Sequence, residues 1–256
     1  MFYLTGDAHG DFRRVVRFCK KHALTSSDTV IVLGDAGINY FDNDRDLEPR
    51  RLLSKTPATI FCIHGNHERR PQTLEIYKER IWRGGTVYVE EEYPNILFAK
   101  DGEVFDLDGI KAITIGGAYS VDKHWRLERG WSWFADEQPD KEVKARVEAR
   151  LDQLGGKIDV VLSHTCPRRY EPVEVFLEGL DQSTVDKSTE IWLDSIEEHL
   201  DYKRWYCGHY HTAKRIDRMQ FMYEDFDVLR TSNSEELTLG QPVVESDSRI
   251  DGLARQ

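Results

Sequence analysis

Two uninterrupted apolar runs stand out along the chain, Thr29-Val30-Ile31-Val32-Leu33 and Ala58-Thr59-Ile60-Phe61-Cys62-Ile63. Runs of that length, separated by helical stretches, predict strands of a sheet covered on both faces. Phe2-Tyr3-Leu4, Ile158 to Leu162 and Trp205-Tyr206-Cys207 read as further strands. Asp11 is placed to cap a helix carrying Val15, Val16 and Cys19, and helices are also expected from Asp140 to Leu154 and around Thr189 to His199. Pro71 predicts the start of another helix running to about Trp82. Between Thr86 and Gly117 the period shortens to Val87–Val89, Ile96–Phe98, Glu103–Leu107 and Ile110–Ile115, with Asp101-Gly102 and Asp108-Gly109 as turn signals. That stretch reads as a mixed or antiparallel second sheet. A final hairpin is expected over Lys214 to Leu229, and residues 230–256 turn polar, as a flexible tail would. The expected fold class is α/β: a two-sheet β-sandwich flanked by helices over residues 1–229, interrupted by a Trp- and Arg-rich insertion at about 117–139.

Composition changes this picture little. With 256 residues, 39% of them hydrophobic, the chain can bury a substantial core as one large domain. Cys19, Cys62, Cys166 and Cys207 form no CxxC pair and read as small buried thiols, which points to a reducing, cytoplasmic setting. No run is long enough for a membrane helix, and a cleaved leader would remove Asp7, so neither membrane nor secretory pathway is expected. The net charge of −11 argues against an extended nucleic-acid surface, which needs a basic face.

The candidate chemistry lies in five islands at strand ends: Gly6-Asp7-Ala8-His9-Gly10, Gly34-Asp35, Gly65-Asn66-His67-Glu68, His164, and Gly208-His209-Tyr210-His211. Singly they mean little, since Gly-Asp pairs are common turn residues and a lone histidine usually caps a loop. Together and in order they supply carboxylate, amide oxygen and imidazole without thiolate, a set suited to divalent transition metals. Residues two apart in an extended segment project to one side, so Asp7 with His9, and His209 with His211, are expected to converge.

In order and spacing the islands resemble the calcineurin-like metallophosphoesterase superfamily, over roughly residues 1 to 229. The resemblance implies two divalent metals, with Mn²⁺ expected and Fe, Zn or Ni as alternatives. It implies Asp35 as the bridging carboxylate, Asp7, His9 and His211 on one metal, and Asn66, His164 and His209 on the other. It further implies His67 as a general acid, and attack by a metal-bridging hydroxide on a phosphate ester. Many members carry an Asp-Arg-Gly shortly after the second Asp motif, whereas this chain reads Gly34-Asp35-Ala36-Gly37-Ile38-Asn39-Tyr40. Its phosphate clamp must come from elsewhere, and Arg69, Arg70, Arg126 and Arg129 are the candidates. Glu68, Asp42 and Asp44 are the carboxylates near enough in sequence to orient His67. Expected substrates are a phosphorylated small molecule, a nucleotide or a phosphoprotein, with a phosphomonoester or small nucleotide favoured. A phosphodiesterase or nuclease using the insertion's tryptophans, and a non-catalytic metal-binding scaffold, are the alternatives.

Overall fold

The apolar runs become strands whose two faces are both covered. In chain order, β1 (Phe2–Thr5), α1 (Arg13–Lys21), β2 (Thr29–Val32), α2 (Leu47–Leu53) and β3 (Thr59–Cys62) alternate. The hairpin β4 (Tyr77–Trp82) and β5 (Gly85–Glu90) leads into β6 (Ile96–Ala99), β7 (Val104–Leu107) and β8 (Ile110–Ile115). The insertion holds α3 (Lys123–Glu128), followed by α4 (Lys141–Gln153) and β9 (Lys157–Ser163). The remaining elements are α5 (Ser188–Glu197), β10 (Asp201–Cys207), β11 (Lys214–Ile216), β12 (Met219–Phe221) and β13 (Asp227–Val228). This computed structural model describes residues 1–179 and 181–231, so the expected tail lies outside the described residues from position 232 onward. Among the described residues no helix is long and apolar enough to cross a membrane.

One sheet has the order β13-β1-β2-β3-β6-β5-β4, the other β11-β12-β10-β9-β8-β7. Each has a parallel centre, β1, β2, β3 and β6 in the first and β8, β9, β10 and β12 in the second, edged by antiparallel strands. Alternate residues of a strand serve different layers. Val30 and Val32 pack outward with Val15, Phe12 and Leu53 of the first helical layer. Ile31 and Leu33 face the second sheet, in register with Leu4 and Phe61. On the far side Val161, Trp205 and Cys207 pack against Val147 and Leu151 of α4 and Leu193 of α5. The chain is thus layered helix, sheet, sheet, helix, with an apolar seam at each boundary. Truncating a large buried side chain in such a seam costs about 2–5 kcal/mol.

Several expectations need correction. The helix expected from Pro71 to Trp82 is a single 3₁₀ turn, Pro71–Thr73, followed by strand β4. Pairing with β5 decides this, through a two-residue turn in which Arg83 and Gly84 both have positive φ. The Thr86 to Gly117 stretch divides between sheets: β5 and β6 join the first, and only β7 and β8 begin the second. Asp108-Gly109 does close a hairpin, between β7 and β8. Asp101-Gly102 instead carries the chain across from one sheet to the other. The last hairpin ends at Phe221, since β13 leaves it to pair with β1. Asp11 lies just outside the start of α1, accepting the Arg13 N–H at 3.1 Å, while Asp140 caps α4 by accepting from Val143 at 2.8 Å. All four cysteines are buried and free.

Candidate metal centre

The five islands follow the carboxyl ends of β1, β2, β3, β9 and β10, where open α/β sheets usually place their ligands. Because the two sheets stack face to face, their loops meet at one edge. Glycines permit the approach. A Cβ on Gly34 would overlap the imidazole of His164, and one on Gly65 would overlap the backbone and carboxylate of Asp35.

The backbone here is not extended, contrary to the expectation for the Asp-x-His and His-x-His spacings. His9, Asp35, His209 and His211 all have positive φ, between 44° and 67°. Such non-glycine conformations each cost about 1–3 kcal/mol and persist where the surroundings over-determine them. Here the surroundings are specific. Ala8 and His9 N–H both donate to the Asp35 carbonyl, at 3.0 and 2.8 Å. Arg14 clamps the carbonyls of Gly6 and Asp7 at 2.8 and 2.7 Å. His209 N–H donates to Asp7 Oδ1 at 3.0 Å.

Asp7, His9 and His211 bring ligand atoms within 4.8 Å of one another, as do Asp7, Asp35 and His164. The two oxygens of Asp35 face different ways, Oδ1 lying 3.5 Å from His164 Nε2 and Oδ2 3.9 Å from His9 Nδ1. His164 Nδ1 sits 2.9 Å from the Leu33 carbonyl, which makes it the protonated nitrogen and leaves a lone pair on Nε2. That lone pair faces the Asn66 amide oxygen at 2.7 Å, while Asn66 Nδ2 donates to Ser120 Oγ at 2.9 Å. His9 Nε2 and His211 Nε2 lie 3.0 Å apart, and His211 Nε2 also lies 3.1 Å from Asp7 Oδ2. Two acceptors facing each other, as at His164 and Asn66, are reconciled by a cation between them, so the residues fit divalent metal ions. His209 stands against His164, with ring centroids 4.9 Å apart.

The electrostatics agree. Burial alone would raise Asp35, yet the imidazoles of His164, His67 and His9 and the His67 N–H outweigh it and hold the carboxyl well below its usual range. Asp7 is likewise lowered: burial opposes ionisation, and His211, His164 and His9 together outweigh it. His209 is pushed down to about 3 by burial and then by His164, which keeps the imidazole in the neutral form that ligates. His211 is raised, first by its contact with Asp7.

His67 lies on the cavity side of this cluster, its backbone N–H held by Asp35 Oδ1 at 2.8 Å. Of the four candidate arginines, Arg126 alone reaches it. Its Nη2 lies 2.7 and 2.6 Å from the two ring nitrogens. Burial, then Arg126 among the nearby charges, lowers His67 to about 4 although Asp35 opposes this. Arg69 is paired with Asp42 at 2.6 Å, Arg70 is buried against Asp101 at 2.5 Å, and Arg129 lies over the Trp125 ring at 3.7 Å. Glu68 is turned away from His67 and accepts backbone N–H groups from Gly65, Ala36 and Gly37, tying the second and third islands together. Two carboxylates face the His67 ring: Asp35 Oδ2, 3.8 Å from Nδ1, and Asp122, 3.8 Å from Nε2 and bonded to Arg126 Nε at 2.8 Å.

Asp122 and Ser120 were not among the residues singled out from sequence. The four-residue spacing between Asp122, at the cap of α3, and Arg126 within it was the available signal for the first. Nothing local marks Ser120, whose role depends on the insertion folding back over Asn66.

A family model for calcineurin-like phosphoesterases matches residues 1–213. A lariat debranching enzyme from Drosophila pseudoobscura pseudoobscura is 26% identical over 188 residues, covering 64% of this chain. The match covers 32% of that enzyme, so the chain spans about a third of its relative's length. Among solved structures, the phosphopantetheinyl hydrolase of Mycobacterium tuberculosis aligns with a TM-score of 0.46 at 15% identity, covering 87% of each chain. A protein of unknown function from Aquifex aeolicus aligns with a TM-score of 0.32 at 14% identity, over 64% of this chain and 80% of that one.

Proposed function

We propose that this chain, which belongs to the calcineurin-like phosphoesterase family and by that membership is a metal-dependent phosphoesterase, holds two divalent cations and hydrolyses a phosphomonoester or small nucleotide. Asp7, His9 and His211 would hold one cation and Asn66, His164 and His209 the other, with Asp35 shared. The observation that carries this reading is the division of Asp35, one oxygen toward His164 and the other toward His9. When bound, such a pair neutralises phosphoryl oxygens and lowers the pKa of a bound water.

The remaining work falls to the chain itself. Arg126 is the cation within reach of a phosphoryl group, and its fork suits two oxygens. Transfer of its Nη2 from His67 to the phosphoryl oxygen would remove a charge that helps keep the imidazole neutral, so the ring can take up a proton from solvent and pass it to the leaving oxygen. Asp122, at the start of α3, holds Arg126 through its Nε and lies 3.8 Å from His67, so it keeps the guanidinium in place during that exchange. The insertion therefore takes the part that the missing Asp-Arg-Gly would play.

A diester reading is favoured by one observation: Trp125 and Trp131 stand half exposed beside Arg129, a surface on which a base can stack. The experiment that separates the readings uses metal-stripped protein with p-nitrophenyl phosphate and bis(p-nitrophenyl) phosphate, before and after adding Mn²⁺. Metal-restored cleavage with the monoester preferred is expected, and Asp35→Asn should lower the content of both metals by elemental analysis. Silence on both esters with two metals bound would point to a narrow substrate or to the scaffold reading, and near-full occupancy in Asp35→Asn would end the shared carboxylate.

A further inference from the structure

The cavity at the metal centre extends beyond it. It has a volume of about 310 Å³ and runs from Asp35, His67 and His211 to a wall formed by Val121, Val175, Phe176, Leu177 and Val185. That volume lies within the range of small-molecule sites. Val175 and Leu177 are 39% and 63% exposed, an apolar surface left open beside a charged centre. The wall is tied to the ligand loop, because Phe176 stacks on Tyr210, between His209 and His211, with centroids 6.3 Å apart and planes 15° from parallel.

Charge along the same cavity narrows what fits there. Lys187 is its one Lys or Arg among the described residues, and it is already engaged. Its ammonium bridges both oxygens of Glu171, at 3.0 and 2.8 Å, and lies 4.7 Å from the centre of the Phe176 ring. The other acidic residues lining the cavity away from the ligands are Asp122 and Glu190. A second phosphate on the substrate would therefore meet carboxyl groups, apolar side chains and the uncharged polar groups of Tyr119, Gln182 and Tyr210, with no free cation.

We propose that this wall is the leaving-group subsite, and that the substrate is a phosphoester of an uncharged, apolar, ring-bearing alcohol. This rests on the phosphoesterase reading above and deepens it. The ester oxygen sits at His67, and the ring lies along Phe176 toward Val185.

The test uses phenyl, 4-ethylphenyl and 4-butylphenyl phosphates, whose leaving groups have nearly equal acidity but increasing apolar length. With Mn²⁺-loaded protein, kcat/KM should rise by about fourfold for each methylene that the wall buries, as expected from transfer of a CH₂ out of water. The affinity for 4-butylphenylphosphonate over phenylphosphonate, read by calorimetry, should rise in parallel. Leu177→Asp places a charge in an exposed part of the wall without disturbing the core, and Phe176→Ala removes its ring. Both should flatten the dependence on length in both measurements. Metal-restored cleavage with no length dependence, or a dependence that survives both variants, overturns the subsite alone. No cleavage of any ester overturns the phosphoesterase reading, and the leaving-group assignment falls with it.

Discussion

Replacing Ser120 by alanine tests whether the insertion supports one side of the metal centre. Asn66 Nδ2 donates to Ser120 Oγ at 2.9 Å. Beside Ser120, Glu137 receives Trp133 Nε1–H at 2.8 Å. Ser120 is 1% and Asn66 2% exposed, so little solvent can replace the lost partner. In Ser120→Ala the amide keeps a buried donor with no acceptor, at a cost of about 1–3 kcal/mol. It escapes that cost by rotating, which swings Oδ1 away from its place 2.7 Å from His164 Nε2. Loss of such outer support typically weakens metal binding about 10–100-fold, or about 1.4–2.8 kcal/mol at about 1.4 kcal/mol per tenfold. The two routes to the magnitude overlap. Asp7, His9 and His211 share no hydrogen bond with Ser120, so the cation proposed for them should be held to within about twofold of its original affinity. Calorimetric titration of metal-stripped protein with Mn²⁺ reads both constants. Two affinities that fall together, or neither moving, would refute the reasoning.

Two further outcomes are expected. His67→Ala should retain both metals by elemental analysis yet slow turnover of an ester with a poor leaving group by roughly 10²–10⁴-fold; normal turnover would remove His67 from the chemistry. Glu190 is buried and pushed up to about 7, chiefly by burial, from an ordinary value of 4.5. Its folded pKa exceeds the unfolded one, so its contribution is fully present below about pH 4.5 and is lost as pH rises through 7, by up to about 3 kcal/mol. Urea midpoints at pH 4.5 and 8 should therefore show Glu190→Gln gaining on the parent chain by that order as pH rises, and a gap independent of pH would contradict the shift.

How far local pattern reaches is shown best by β2 and β4. In β2 every residue is apolar or small because each face meets a different seam, so a run without alternation already implies a sheet with cover on both sides. β4 carries Lys78, Glu79 and Arg80, all exposed, and its spacing of Leu74, Tyr77 and Ile81 suits a helix equally well. An edge strand with one covered face lacks the pattern that marks a central one, and its charges guard that edge. The positive-φ turn at Arg83-Gly84, with Gly85 following, was the local sign that a hairpin lay there.

The sequence by itself determined the strand runs, the five islands and their placement at strand ends, because covered strands need apolar residues and tight loops need glycine. Tertiary structure decided what the islands do together. Which sheet each strand joined, and so which loops met, depended on pairings between residues far apart in the chain. The folding back of residues 117–139 brought Arg126 and Asp122 to His67 and Ser120 to Asn66, while Arg69 and Arg70, its neighbours in sequence, were taken by Asp42 and Asp101. Residue type announces a ligand, but the partner of a cation is set by distance in space, and no spacing along the chain encodes it.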